Sequence, residues 1–124
     1  MPLSAIAAAW PLLLGMGVLM LGAGLQSTLL GVRATSEGFS TTAIGVVMSC
    51  YYAGFLFGTT VAPHMIRHVG HVRSFAAFAA VAAAATLCQA VLVHPVAWAT
   101  MRLLTGVCFA GIYVVAESWL NDHA

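Results

Sequence analysis

Arg102 stands inside an apolar run that carries no other charge from Ala97 to Ala116. An ionised side chain in such a setting costs on the order of 2.5 to 3.5 kcal/mol unless it reaches water or a partner. It is therefore a candidate for holding an anionic group or taking part in proton coupling, and the structural alternative is a long side chain snorkelling to an interface. At 100° per residue, Arg102, Gly106, Phe109, Tyr113 and Glu117 fall within an arc of about 80°, a single helical stripe. Arg102 and Glu117 lie roughly 22 Å apart on a helix that rises about 1.5 Å per residue, so each needs a different partner. Gln26, Ser27 and Thr28 are the polar cluster of the first apolar stretch. A buried amide needs a hydrogen-bond partner, which a ligand or a neighbouring helix could supply. His64, His68 and His71 have i, i+4, i+7 spacing that could set three imidazoles on one helical face as metal ligands. Gly70 and the turn expected there argue instead for interfacial residues, so no metal is assigned. There is no nucleophile with its base, no glycine-rich phosphate loop and no paired carboxylates, which points away from an enzyme and assigns no cofactor.

The elements that must position these residues follow from composition. Of 124 residues, 62% are hydrophobic and 6% charged, against roughly a quarter charged in a soluble domain. Four basic and three acidic side chains cannot cover a soluble globule of this size, so most of the exterior must face lipid. A net charge of +1 provides no basic field for nucleic acid. Cys50, Cys88 and Cys108 fall singly in separate apolar stretches, neither a disulfide framework nor a zinc site, and read as small buried hydrophobes. No Lys or Arg precedes Arg33. The first apolar stretch thus lacks the basic region of a signal peptide and reads as a retained spanning helix.

The pattern predicts an all-α membrane protein with four transmembrane helices over residues 6–30, 43–66, 74–93 and 97–119, since a span needs about 20 apolar residues. Residues 31–42 read as a loop with Ser40 or a neighbouring Thr as the next cap. Gly54 and Gly58 suit close helix packing, and Gly17, Gly24 and Gly31 draw a small-residue stripe with the same reading. Trp10, Trp98 and Trp119 lie near helix ends, as aromatic-belt anchors do. The connection 67–73, Arg-His-Val-Gly-His-Val-Arg, is the most basic patch and should be the cytoplasmic loop, which puts both termini in the cytoplasm.

This pattern resembles the N-terminal end of the major facilitator superfamily, more narrowly its YcaD-like branch of bacterial transporters. The resemblance rests on Glu-Gly-Phe-Ser at 37–40, the stretch 63–73, Arg-Leu-Leu-Thr-Gly at 102–106 and residues 111–121. The superfamily's loop between helices two and three departs here: aligned on Gly70, its first glycine falls on Pro63, its aspartate on Arg67 and its two arginines on His68 and His71. The resemblance implies the first part of an N-terminal six-helix bundle within a twelve-span carrier, hence a fragment. It implies a secondary active transporter working by alternating access on a small-molecule substrate, in a bacterial inner membrane, with the remaining helices and the lipid bilayer as partners. Helices one and four line the cavity in that family, which makes Gln26, Arg102, Gly106 and Tyr113 the substrate-cavity candidates. Glu117 with the basic connection, Arg67, Gly70, His71 and Arg73, forms the candidate gate. Two other readings compete: a complete four-span exporter resembling the small multidrug resistance proteins, and a non-transporting membrane subunit. The first of these relies on an acid in helix one, where this sequence has none.

Overall fold

A computed structural model describes residues 3–122 of the chain, apart from the side chain of residue 5. They form four α-helices, α1 (Leu3–Ser36), α2 (Thr41–Val69), α3 (His71–Val91) and α4 (Pro95–Asp122). All four are long and apolar enough to cross a membrane, and this is an integral membrane protein. Helices are what such a sequence must form in lipid, because only an internally hydrogen-bonded backbone avoids unsatisfied polar groups there.

The helices run further than the hydropathy predicts except at the end of α3, which stops at Val91 rather than 93 because Leu92 turns extended. Residues 31–36, expected in a loop, continue α1 because its stop signal is Gly38 rather than Gly31. Gly38 takes φ +79°. The Phe39 amide donates to Ala34 O at 3.0 Å and that of Gly38 to Thr35 O at 3.1 Å, the two bonds that close a helix at a left-handed glycine. Ser40 caps α2, its Oγ accepting from the Ala43 amide at 3.1 Å. The expected 67–73 loop shrinks to one residue. Gly70, at φ 89° and ψ 173°, has a backbone open essentially only to glycine; Arg67 and His68 become the last turn of α2, and His71 and Arg73 the first turn of α3. Cations at the C-terminus of α2 suit its dipole. α4 begins at Pro95, which costs nothing at a first helical position.

Packing is dominated by α4. Its backbone meets that of α2 directly: a Cβ on Gly54 would land on the Leu103 backbone, one on Gly58 would lie 2.5 Å from Val107 O, and one on Gly106 would strike the Tyr51 carbonyl. Small residues thus let these two helices interlock. α3 packs on the adjacent face, with the Phe78 ring over Gly111. The main core gathers Ala62, Phe78, Phe109, Ile112 and Val115. A second cluster of Leu30, Ala34, Val47 and Trp98 joins the end of α1 to α2 and α4.

Three packing expectations are corrected here. Among the described residues, a methyl placed on Gly17 or Gly24 would meet nothing within 4 Å, and of this glycine stripe only Gly31 has a neighbour, Met48 Cε at 3.8 Å. Trp98 is no belt residue: it is fully buried, because the short α3–α4 connection tucks its ring under the end of α3. Of the cysteines, Cys108 is buried and Cys50 half-buried, while Cys88 is exposed.

Candidate functional site

Two adjacent residues of α1 reach two different helices. Gln26 Nε2 donates to Gln89 Oε1 at 2.9 Å and to Thr86 Oγ1 at 3.0 Å, both on α3. Ser27 Oγ accepts from Arg102 Nη2 on α4 at 3.3 Å. Residues i and i+1 diverge by about 100° on a helix, so one short stretch can bridge the cleft between α3 and α4. The amide of Gln26 is thus spent on a helix-to-helix contact as well as being a cavity candidate.

Arg102 is 3% exposed. Its guanidinium carbon lies 4.5 Å from the centroid of the Tyr51 ring, a cation over an aromatic face, which is worth most where water is excluded. Among the described residues no carboxylate pairs with it, and its Nε has no hydrogen-bond partner. Tyr51 in turn stands in an aromatic row on α2 and α4, with Phe55 at 6.2 Å and Phe109 at 6.4 Å, and Phe55 leads to Tyr113 at 5.7 Å. The stripe expected on α4 is therefore only partly a lining. Tyr113 is half-buried at the end of the aromatic row, but Gly106 is sealed against the α2 backbone and leaves no space for a ligand there.

At the opposite end of the bundle, the gate candidates arrange differently from the expectation. His71 Nε2 lies 2.9 Å from Ser118 Oγ and 3.7 Å from Asp122 Oδ2. Glu117, one residue before Ser118, is exposed and forms no ion pair among the described residues. The helical register decides this: the side chain at 118 faces α3 and the one at 117 turns away. Arg67 and Arg73 are exposed. His68 Nδ1 lies 2.8 Å from His64 O and the two rings are 4.2 Å apart. His71 lies beyond Gly70 and faces α4, so the three imidazoles do not converge. Among the described residues no group of three His, Cys, Asp or Glu side chains is close enough to share a metal.

The sequence reading missed Gln89, Thr86 and Tyr51. Gln89 had a usable signal, an amide alone in an alanine-rich run, the same signal that singled out Gln26. It is 2% exposed, its backbone carbonyl accepts from Trp98 Nε1 at 3.0 Å, and its Nε2 has no partner among the described residues. Tyr51 had none, since its role depends on which face α2 turns to α4.

No family model and no solved structure matches the chain. Curated relatives do match. A protein of Escherichia coli strain UMN026, named uncharacterized MFS-type transporter YcaD, is 34% identical over 109 residues, covering 88% of this chain and 28% of the relative. Proteins of the same name from Escherichia coli strains HS and SE11 are 33% identical over the same share of each chain. The chain thus spans about 28% of the length of the relatives it matches. The sequence motifs, the four spanning helices and these identities agree: the chain is homologous to the YcaD-like transporters of the major facilitator superfamily.

Proposed function

We propose that this chain forms the first four helices of the N-terminal bundle of a secondary active transporter of major facilitator type, which moves a small molecule across a bacterial inner membrane by alternating access. One observation carries the reading beyond the relatives' name: Arg102, buried within a spanning helix, has a hydroxyl and an aromatic face as partners but, among the described residues, no carboxylate. A structural arginine in a membrane is normally paired. An unneutralised one, buried against a hydroxyl and a ring that do not cancel its charge, suits a substrate or coupling site that accepts and releases an anionic group, or responds to a proton, when the helices around it part. In this reading Gln26, Arg102 and Tyr113 border the pathway, Gly106 fixes the spacing of α2 and α4, and the end bearing Arg67, Gly70, His71, Arg73 and Glu117 serves the cytoplasmic gate. His71 with Ser118 and Asp122 is the contact that makes and breaks there, a bistable element of the kind alternating access needs.

The test is transport by a complete carrier containing this segment. Arg102→Gln, which keeps the length and some hydrogen bonding but removes the charge, is expected to cut transport by about tenfold or more, as loss of one charged contact of about 1.5 to 3 kcal/mol would do. Unchanged transport at normal membrane insertion overturns the assignment. The four-span exporter reading gains nothing here, because α1 carries no acid.

A further inference from the structure

His71 opens α3 directly after Gly70, the one residue that separates α2 from α3. Whatever holds His71 therefore also holds the corner that carries Arg67, His68 and Arg73. The imidazole turns from that corner toward the last turns of α4, where its Nε2 lies 2.9 Å from Ser118 Oγ and 3.7 Å from Asp122 Oδ2.

The two partners respond differently to a proton. A hydroxyl donates to a neutral ring nitrogen or accepts from a protonated one, so the Ser118 bond survives in either form. The Asp122 carboxylate only accepts, and it attracts the ring only when Nε2 is protonated and the imidazole is charged. Imidazole is the side chain that changes charge between about pH 5 and 8. With 27% of the His71 side chain and 58% of Asp122 exposed, water can deliver the proton.

No other titratable group faces the ring among the described residues. The cavity of about 280 Å³ beside it receives Ala8, Pro11 and Leu12 from α1, and His71 is the titratable side chain in its lining. Glu117 of α4, Arg73 of α3 and Arg67 of α2 are exposed and form no ion pair with it, and His68 of α2 is bonded to the His64 carbonyl of its own helix. Asp122 thus decides the sign. Its attraction is present while the ring is charged and is lost as pH rises through the imidazole range. The closed contact holds the proton better than the open one, so acid favours closure.

Resting on the gate contact proposed above, we infer that His71 is a proton-binding site that regulates that gate: the charged imidazole clasps the Gly70 corner to Asp122, and the neutral one leaves the corner on Ser118 alone, free to part. An arginine or lysine at position 71 would make the same contact at every physiological pH, and histidine makes it conditional.

The experiment uses a complete carrier containing this segment, freed of its cysteines, in lipid nanodiscs. Spin labels at Val69→Cys and Asn121→Cys, two exposed positions on either side of the contact, report its opening by double electron–electron resonance. Two distances are expected. The ratio of the shorter to the longer should rise about two- to fivefold from about pH 8 to about pH 5.5, the worth of one partly exposed ion pair. His71→Gln, which keeps a partner for Ser118 but cannot titrate, and Asp122→Asn should each flatten the response at the high-pH ratio. His71→Arg should hold the low-pH ratio at both values, and His68→Gln should leave the response in place. A ratio that ignores pH, or a response that survives His71→Gln or vanishes with His68→Gln, would overturn the proton site and leave the gate contact standing. A single distance in every variant and at every pH would overturn both.

Discussion

Gln26 and Gln89 illustrate how a single polar residue behaves in a membrane. Gln26 divides its donor between Thr86 and Gln89, and the Gln89 side chain, which has Gln26 as its partner, is left with one donor over among the described residues. Replacing only Gln26 by Leu should leave more of the Gln89 amide unpaired and cost about 1 to 3 kcal/mol. Replacing both by Leu removes the need along with the bond and should cost less than the sum of the two single changes. A double-mutant cycle, read by reversible unfolding in detergent, should give a coupling of about 0.6 to 2 kcal/mol, in the range of inter-helix hydrogen bonds in membranes. Strict additivity would mean that the Gln26–Gln89 bond does not help to seat α1. Arg102 and Tyr51 differ in kind, since the ring stabilises a charge without cancelling it.

Among the elements, α2 and α4 form the rigid pair and α1 the loosely seated one. The same substitution should therefore have opposite signs on the two. Gly54→Ala pushes a methyl into the Leu103 backbone and should destabilise by about 1 to 3 kcal/mol, the usual cost of overpacking. Gly17→Ala meets open space and should stabilise by about 0.5 to 1 kcal/mol, the helical advantage of alanine. Thermal denaturation of both variants in one detergent checks the pair, and a shift of the same sign would refute the difference in packing. The spans and the Gly54–Gly58 contact were legible in the sequence because apolar length and small-residue spacing are local properties. The glycines of α1 show why the rest was not: spacing marks a face that can pack, and only the position of the neighbours decides whether it does. Trp98 is the converse, an end-of-helix tryptophan buried both by the end of α3 and by Phe39, 5.1 Å away and far from it in sequence. The one-residue connection at Gly70 was hidden for another reason. Charge and polarity in residues 67–73 imitate a loop, whereas two helix ends meeting at a left-handed glycine carry the same composition.

For the whole molecule, the two ends of the bundle are chemically unlike, and that difference decides how it sits in the bilayer. One end gathers Arg67, His68, His71 and Arg73 around Gly70, together with Glu117 and Asp122 from α4; the other holds Arg33 and Glu37. Orientation follows Lys and Arg in short connections, and acids count for little. Two arginines against one therefore favour the Gly70 end in the cytoplasm, and an even number of spans then brings the start of α1 and the end of α4 to that side. Single cysteines at His68→Cys and Glu37→Cys, introduced after Cys50, Cys88 and Cys108 are replaced by Ala, test this with a membrane-impermeant maleimide. In intact cells the position 37 variant should label and the position 68 variant should not, and in inverted vesicles the pattern should reverse. The opposite pattern would mean that Arg33 outweighs the pair at the Gly70 end. Labelling of both positions from one side would contradict α2 as a span, and with it the geometry that sets Arg102 at depth between Ser27 and Tyr51.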